Sequence, residues 1–133
     1  LLPGQTYEFR LSANSLFGFG SCSKKSRPIQ CEYEPPAIID TLLSEVGDNT
    51  KMIKLTWRKP NAWGLAVDVY DIEIQSKQNI LMWTKVCDTV KHSRFIGHDL
   101  MPAGIPHRFR IRSASRVGYS KWSKETDWLA LDY

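Results

Sequence analysis

Hydrophobic and polar residues alternate along most of this chain, with a period of two. Tyr7, Phe9, Leu11 and Ala13 fall on one side of a stretch whose other side is Glu8, Arg10, Ser12 and Asn14. That period is the one of a strand with a single buried face. Gly18 and Gly20 then mark a loop, and residues 22–30 predict a returning strand. Residues 37–44 predict another, followed by a turn at Gly47-Asp48-Asn49. Ile53, Leu55 and Trp57 point inward in the next strand, which ends at Pro60-Asn61-Ala62-Trp63-Gly64. Tyr70, Ile72 and Ile74 point inward after it, with Asp71, Glu73 and Gln75 outward. Residues 81–86 and 94–100 predict shorter strands. Phe109, Ile111 and Ser113 then face inward, and Gly118 turns the chain into a last strand over residues 122–128. The one helical candidate, residues 37–46, carries Pro35-Pro36 and Ile38-Ile39, which favour a strand. About seven short strands, with turn signals every 8–12 residues or so, form the pattern of a β-sandwich.

The final stretch repeats the first, one hundred residues later and in register. Gly4, Phe9, Arg10, Ser15, Gly18, Ser23 and Lys24 recur as Gly104, Phe109, Arg110, Ser115, Gly118, Ser123 and Lys124. A self-match at fixed spacing marks a repeated structural unit. It predicts a chain that begins inside one unit and then contains one whole copy. Residues 1–31 would be a hairpin, residues 32–36 a linker, and residues 37–133 a complete domain. Within the linker, Glu34-Pro35-Pro36 favours an extended path poor in donors.

Composition narrows the reading. Five Trp, five Tyr and five Phe in a 42% hydrophobic chain supply a core and argue against disorder. No apolar run reaches the roughly 18 residues that cross a bilayer, so no direct membrane contact is expected of the segment. The net charge of +4 suggests anionic partners until it is located. Residues 1–31 carry four basic residues against Glu8 alone, whereas residues 32–133 carry 14 basic and 13 acidic ones. Nucleic-acid recognition needs a clustered basic face, and none is expected here. Cys22, Cys31 and Cys87 cannot all pair within the chain, and their spacing matches no zinc pattern. Cys22 and Cys31 form either a bridge or two of three buried free thiols. The odd count and the absence of an Asn-x-Ser/Thr sequon lean towards the cell interior.

The order and spacing of four features carry a resemblance. They are Trp57, Tyr70, the run Leu1-Leu2-Pro3-Gly4-Gln5-Thr6-Tyr7-Glu8-Phe9-Arg10, and Gly18 with its counterpart Gly118. In them the chain resembles the fibronectin type III family over essentially its whole length. The resemblance implies an all-β, immunoglobulin-like β-sandwich of seven strands, preceded by a β-hairpin left from a truncated neighbouring domain. Trp57 would lie on strand B, Tyr70 on strand C and the Phe9-Arg10 run on strand F. Tyr7 would form the tyrosine corner, its hydroxyl bonding back to the chain. His107 stands at that place in the complete domain and predicts a weaker corner, being shorter and titratable. Family habit would place such a domain outside the cell, against the lean from composition.

The last strand allows a finer comparison. Tyr119-Ser120-Lys121-Trp122-Ser123 is similar to the WSxWS box of cytokine-receptor fibronectin domains, in which tryptophans interleave with arginines of the neighbouring strand. Arg108, Arg110 and Arg112 alternate outward there, so Trp122 could stack on a guanidinium, worth ~0.5–1 kcal/mol if exposed. Asp71 and Glu73 on strand C offer the same arginines a ladder of cross-strand ion pairs, which needs no ligand.

Candidate chemistry is sparse. His92, His98 and His107 share no helical spacing and no converging carboxylates. No Ser-His-Asp order, nucleophile elbow, phosphate-cradling loop or dinucleotide fingerprint is present. The chain is therefore read as non-catalytic, without metal or cofactor. Trp63 and Leu65 lie in the loop after the second strand of the domain, Arg116 and Tyr119 around the loop before its last. Both loops emerge at one end of such a sandwich, where loops bind partners, and Trp, Tyr and Arg are favoured contact residues. Alternatively Trp63 folds back over the sandwich end or packs on an adjacent domain. Trp83 and Trp128 are expected to be packing residues. Trp57, Tyr70, Tyr7, Phe109, Arg110, Arg112 and Trp122 are expected to be structural. The function expected is a protein-interaction and spacer module of a larger multidomain protein, an adhesion or scaffold array. Its partners would be proteins and adjacent fibronectin type III domains. Two alternatives stand beside it: a ligand-binding ectodomain segment of a cell-surface receptor, and an accessory domain of a multidomain enzyme.

Overall fold

A computed structural model describes residues 1–47 and 51–132. Asp48 and Asn49 of the predicted turn lie outside them. The chain divides into two compact units, Leu1–Glu34 and Pro35–Tyr133. Every regular element among the described residues is a strand.

The first unit is one long hairpin. Its strands β1 (Thr6–Tyr7), β2 (Asn14–Ser15), β3 (Gly18–Phe19) and β4 (Ile29–Gln30) pair as β1 with β4 and β2 with β3, all antiparallel. Regular pairing is confined to the root and tip, although the alternation over residues 7–13 predicts one continuous strand. Between them the two arms are joined by Ser23 and Ser26. Each donates its backbone N–H across, to the carbonyls of Leu11 and Phe9, and its hydroxyl accepts from the N–H of the same residue.

Among its described residues the second unit holds seven strands: β5 (Leu43–Val46), β6 (Ile53–Thr56), β7 (Val69–Ser76), β8 (Thr84–Thr89), β9 (Ser93–Ile96), β10 (His107–Ser115) and β11 (Gly118–Tyr119). They form a three-stranded sheet, β5-β6-β9, and a four-stranded sheet, β11-β10-β7-β8, with every pair antiparallel. This is the all-β sandwich the alternation predicts. Ile53 and Leu55 from one sheet, and Tyr70, Ile72, Phe109 and Ile111 from the other, lose essentially all contact with solvent. Trp57 meets Tyr70 edge-on at 5.5 Å between ring centroids. Each such side chain stabilises by about 1.5–3 kcal/mol relative to an exposed position, so the core rests on these two facing stripes.

Three expectations need correction. The first strand of the domain, expected over residues 37–44, pairs regularly only from Leu43. Before that, Ile39 plugs the core while the backbone is held at two points: Ala37 N–H donates to the Asn61 carbonyl and Arg58 N–H to the Thr41 hydroxyl. Secondly, the strand expected over 81–86 is β8 at Thr84–Thr89, and the one expected over 94–100 is β9 at Ser93–Ile96. Thirdly, the last strand, expected over 122–128, is regular only at β11. Glycine is required where the echo places it. Gly4 and Gly104 have φ of 73° and 75°, a left-handed turn that a β-carbon would strain.

Candidate interaction surfaces

After β11 the chain keeps its pairing with β10 but changes period. Ser120, Ser123, Thr126 and Leu129 donate their backbone N–H groups to the carbonyls of Ser113, Ile111, Phe109 and His107, at 2.8–2.9 Å. Three residues thus advance for every two on β10. The spare residues would leave the N–H groups of Ser113, Ile111 and Phe109 without carbonyl partners. The hydroxyls of Ser120, Ser123 and Thr126 accept from them instead, each at 3.0 Å. Side-chain oxygens replace main-chain ones, which satisfies donors that would be costly to bury unpaired. The first unit does the same with Ser23 and Ser26. Sequence reasoning missed this ladder, although its signal is the hydroxyl spacing Ser120-x-x-Ser123-x-x-Thr126.

A three-residue period also aligns Tyr119, Trp122 and Trp128 on one ridge, over the outward face of β10. Arg112 lies over the Tyr119 ring at 4.0 Å and the Trp122 ring at 4.5 Å. Arg110 lies over Trp122 at 4.2 Å and over Trp83 at 4.3 Å. Arg108 lies 4.5 Å from the centre of Trp128 and 5.7 Å from that of Trp83. Cations and rings therefore interleave along the whole sheet face, each contact worth ~0.5–2 kcal/mol depending on its hydration. Trp83, expected only to pack, arrives from the segment before β8 to complete the stack.

The cross-strand pairs coexist with the stacking. The β10–β7 register sets Arg112 opposite Asp71, Arg110 opposite Glu73 and Arg108 opposite Gln75. Arg112 Nε donates to Asp71 Oδ2 at 3.2 Å, Arg110 bonds Glu73 through Nε and Nη2, and Arg108 Nε donates to Gln75 Oε1 at 2.7 Å. Asp71 and Gln75, expected to be outward on β7, are in fact buried. Burial pushes the Asp71 carboxyl above its ordinary range, helped by Asp88 opposite it on β8 and opposed by Arg112. Asp88 moves the other way, held down by its hydrogen bond with Asp71 and by Lys85 at 2.8 Å.

The other end of β10 carries the predicted loops. Ala62, Trp63, Gly64 and Leu65 form a tight turn in which Leu65 N–H donates to the Ala62 carbonyl. Positive φ at Trp63 (59°) and Gly64 (89°) makes it a type I′ turn, whose first central place favours Asn, Asp or Gly. A bulky ring there costs on the order of 1–3 kcal/mol. Asn61 Oδ1 accepts the Trp63 backbone N–H at 2.8 Å, and the indole N–H donates to the Pro35 carbonyl at 3.2 Å. Trp63 is half-buried over that segment, as is Leu65. Arg116 is exposed in the turn between β10 and β11, while Tyr119, on β11, is half exposed and belongs to the stack.

The remaining candidates fall apart. Tyr7 OH accepts from Leu2 N–H at 2.9 Å, a tie back to the preceding turn. The buried His107 instead bonds through Nδ1 to the Ile105 carbonyl at 2.8 Å, only two residues back. His92 sets its ring edge-on to Tyr70 at 5.6 Å. Cys22, Cys31 and Cys87 are free thiols, but not the buried ones expected: Cys22 is exposed and the other two are half-buried. Among the described residues no group of His, Cys, Asp or Glu is placed to hold a metal ion.

No family model matches the chain. Human Myomesin-2 is 29% identical over 132 residues, which is 96% of this chain and 9% of that protein's length. The FN1–FN3 domains of chicken CNTN1 superpose with a TM-score of 0.61 at 20% identity, covering 99% of this chain and 46% of that one. The sixth fibronectin type III domain of human fibronectin type III domain containing protein 3 gives 0.59 at 18% identity, covering 73% of this chain and 86% of that domain. What matches in these structures is their fibronectin type III domains, not a catalytic fold. With two sheets of three and four strands, Trp57 against Tyr70 in the core and the repeated run entering β10, the fold of this chain is that of the fibronectin type III domain.

Proposed function

We propose that the chain is a non-catalytic spacer and protein-interaction segment of a tandem fibronectin type III array, with residues 1–31 as the last two strands of a domain preceding the one at 37–133. The observation that carries this reading is the shared hydroxyl ladder, Ser23 and Ser26 in the first unit and Ser123 and Thr126 in the second. Two copies of one module in one chain are what an array requires. The likeness to the consecutive domains of CNTN1 supports it.

A spacer works by holding the path between modules. Trp63 ties down Pro35 through its indole N–H at the expense of an unfavourable backbone angle, and Pro35-Pro36 restricts the rest. Backbone relaxation on the whole chain tests this. Residues 34–37 should be as ordered as the strands in the native protein and fall to order parameters below about 0.6 in Trp63→Gly, which suits the turn. Equal order in both proteins would remove the latch. Trp63, Leu65, Arg116 and Tyr119 are the contact residues proposed at this end. Arg116→Ala should weaken the hold on a neighbouring module.

A further inference from the structure

Charge along the arginine face is compensated unevenly. Arg112 has Asp71 and Arg110 has Glu73, whereas Arg108 faces the neutral amide of Gln75. Among the described residues no carboxylate forms an ion pair with Arg108 or with Lys77, whose ammonium lies over the other tryptophan of that end, Trp128, at 5.8 Å. Glu125 shares the ridge of Trp122 and Trp128 in the three-residue register, and among the described residues it makes no ion pair either. Arg108 is held between Trp83 and Trp128, with Nε committed to Gln75. Its two terminal amino groups remain for a planar acceptor, and stacking has already fixed their orientation.

The same glutamine reaches a second feature. Gln75 Nε2 donates to the Ile80 carbonyl at 2.9 Å and so holds the turn between β7 and β8. That turn presents three successive apolar side chains to solvent, Ile80, Leu81 and Met82, with Leu81 91% exposed. An oriented, uncompensated cation pair beside an exposed apolar turn is complementary to a carboxylate flanked by large apolar residues.

We propose that this end of the sheet face, Arg108 and Lys77 with Trp83, Trp128 and the Ile80-Leu81-Met82 turn, docks an extended protein segment in which pairs of acidic residues alternate with pairs of apolar ones, so that each face carries both. A carboxylate of the segment takes the free edge of Arg108, and the apolar residue two places along, on the same face, covers Leu81. The surface lies at the opposite end of β10 from Arg116, so it is independent of the loop contacts proposed above.

A fluorescein-labelled twelve-residue peptide, three repeats of Asp-Glu-Leu-Phe, is titrated against the whole chain and followed by anisotropy. Binding should weaken about tenfold in Arg108→Gln and in Leu81→Asp, and hold within about twofold in the exposed Lys59→Ala, which removes one positive charge elsewhere. Leu81 is 91% exposed, so its variant keeps the test valid even if Arg108→Gln loses stability. Three results would each overturn the proposal: unchanged binding in both variants, equal binding of a peptide with Asn and Gln in place of the acids, or capture of a sulfated heparin oligosaccharide but not the peptide.

Discussion

The two copies of the hairpin make the same backbone bonds and bury different amounts of side chain. Ser23 and Ser26 in the first copy bond Leu11 and Phe9 as Ser123 and Thr126 in the second bond Ile111 and Phe109. Yet Phe9 is 47% exposed and Leu11 78%, while Phe109 and Ile111 are fully buried. Local sequence is thus enough to set the ladder, because serine hydroxyls at a three-residue spacing satisfy the strand opposite wherever it lies. It does not supply the free energy of burial, which comes from β6 and β9 and which the first unit does not contain. The largest test of this difference is Phe109→Ala against Phe9→Ala. The first should cost about 3–5 kcal/mol in chemical denaturation, and the second less than about 0.5. Comparable losses would mean that the first copy also rests on a buried face.

The copies diverge most where Trp122 stands in one and Cys22 in the other. Glu8, Arg10 and Ser12 occupy the places of Arg108, Arg110 and Arg112, so the first copy has neither the arginine stripe nor the indole to stack on it. Trp122→Ala removes a half-buried ring between two guanidiniums and should cost about 2–3 kcal/mol. Cys22→Ala should leave the melting curve in place. A Trp122→Ala protein as stable as the native one would reduce the stack to a surface ornament.

How far the sequence disclosed all this follows from the same contrast. Alternation finds β6, β7 and β10 because their inward residues face one continuous core. It misplaces the final strand because Trp122 and Trp128 are six residues apart, a multiple of both two and three. Only the hydroxyls at 120, 123 and 126 distinguish the periods, and each of them alone reads as an ordinary surface polar residue. The burial of Asp71 and Gln75 was not legible at all. Their partners are Arg108 and Arg112 of β10, themselves stacked under rings from other segments, and a local pattern carries no record of what crosses it. The candidate loop residues were legible as to place, not as to commitment. Nothing in Asn61-Ala62-Trp63-Gly64 announces that the indole would reach back to Pro35.

The hydroxyl ladder gives a finer comparison, since its geometry is common to both copies and only burial differs. Ser123→Ala leaves the Ile111 N–H without an acceptor in a closed interior, at a cost of about 1–3 kcal/mol. Ser23→Ala exposes the Leu11 N–H to water, which replaces the bond, and the loss should be a few tenths. Amide hydrogen exchange reads both sites directly. The Ile111 amide should speed up by orders of magnitude in its variant and Leu11 only slightly in its own. Equal responses would show that the hydroxyls matter by shape and not by hydrogen bonding.

The smallest effect lies beneath the stack, where only the second copy has an acid to bury. The folded state raises the Asp71 carboxyl and lowers that of Asp88. A raised carboxyl holds its proton in the folded state over a window in which the unfolded chain has lost it. Its contribution to stability is therefore full below the ordinary carboxylate value and disappears as pH rises through the raised one. Asp88 acts in the opposite sense, contributing above the ordinary value and losing that contribution as pH falls. Comparison with Asp71→Asn separates the two. Across the window just above the usual carboxylate range, the native protein should lose stability relative to Asp71→Asn as pH rises. In Asp88→Asn that window should move down, because a like charge has been removed while the burial of Asp71 remains. Ser12 stands at the place of Arg112 in the first copy, with no carboxylate to neutralise, so the slope belongs to the second unit alone. A difference curve that is flat or of opposite slope would mean that Arg112, and not burial, governs the Asp71 proton.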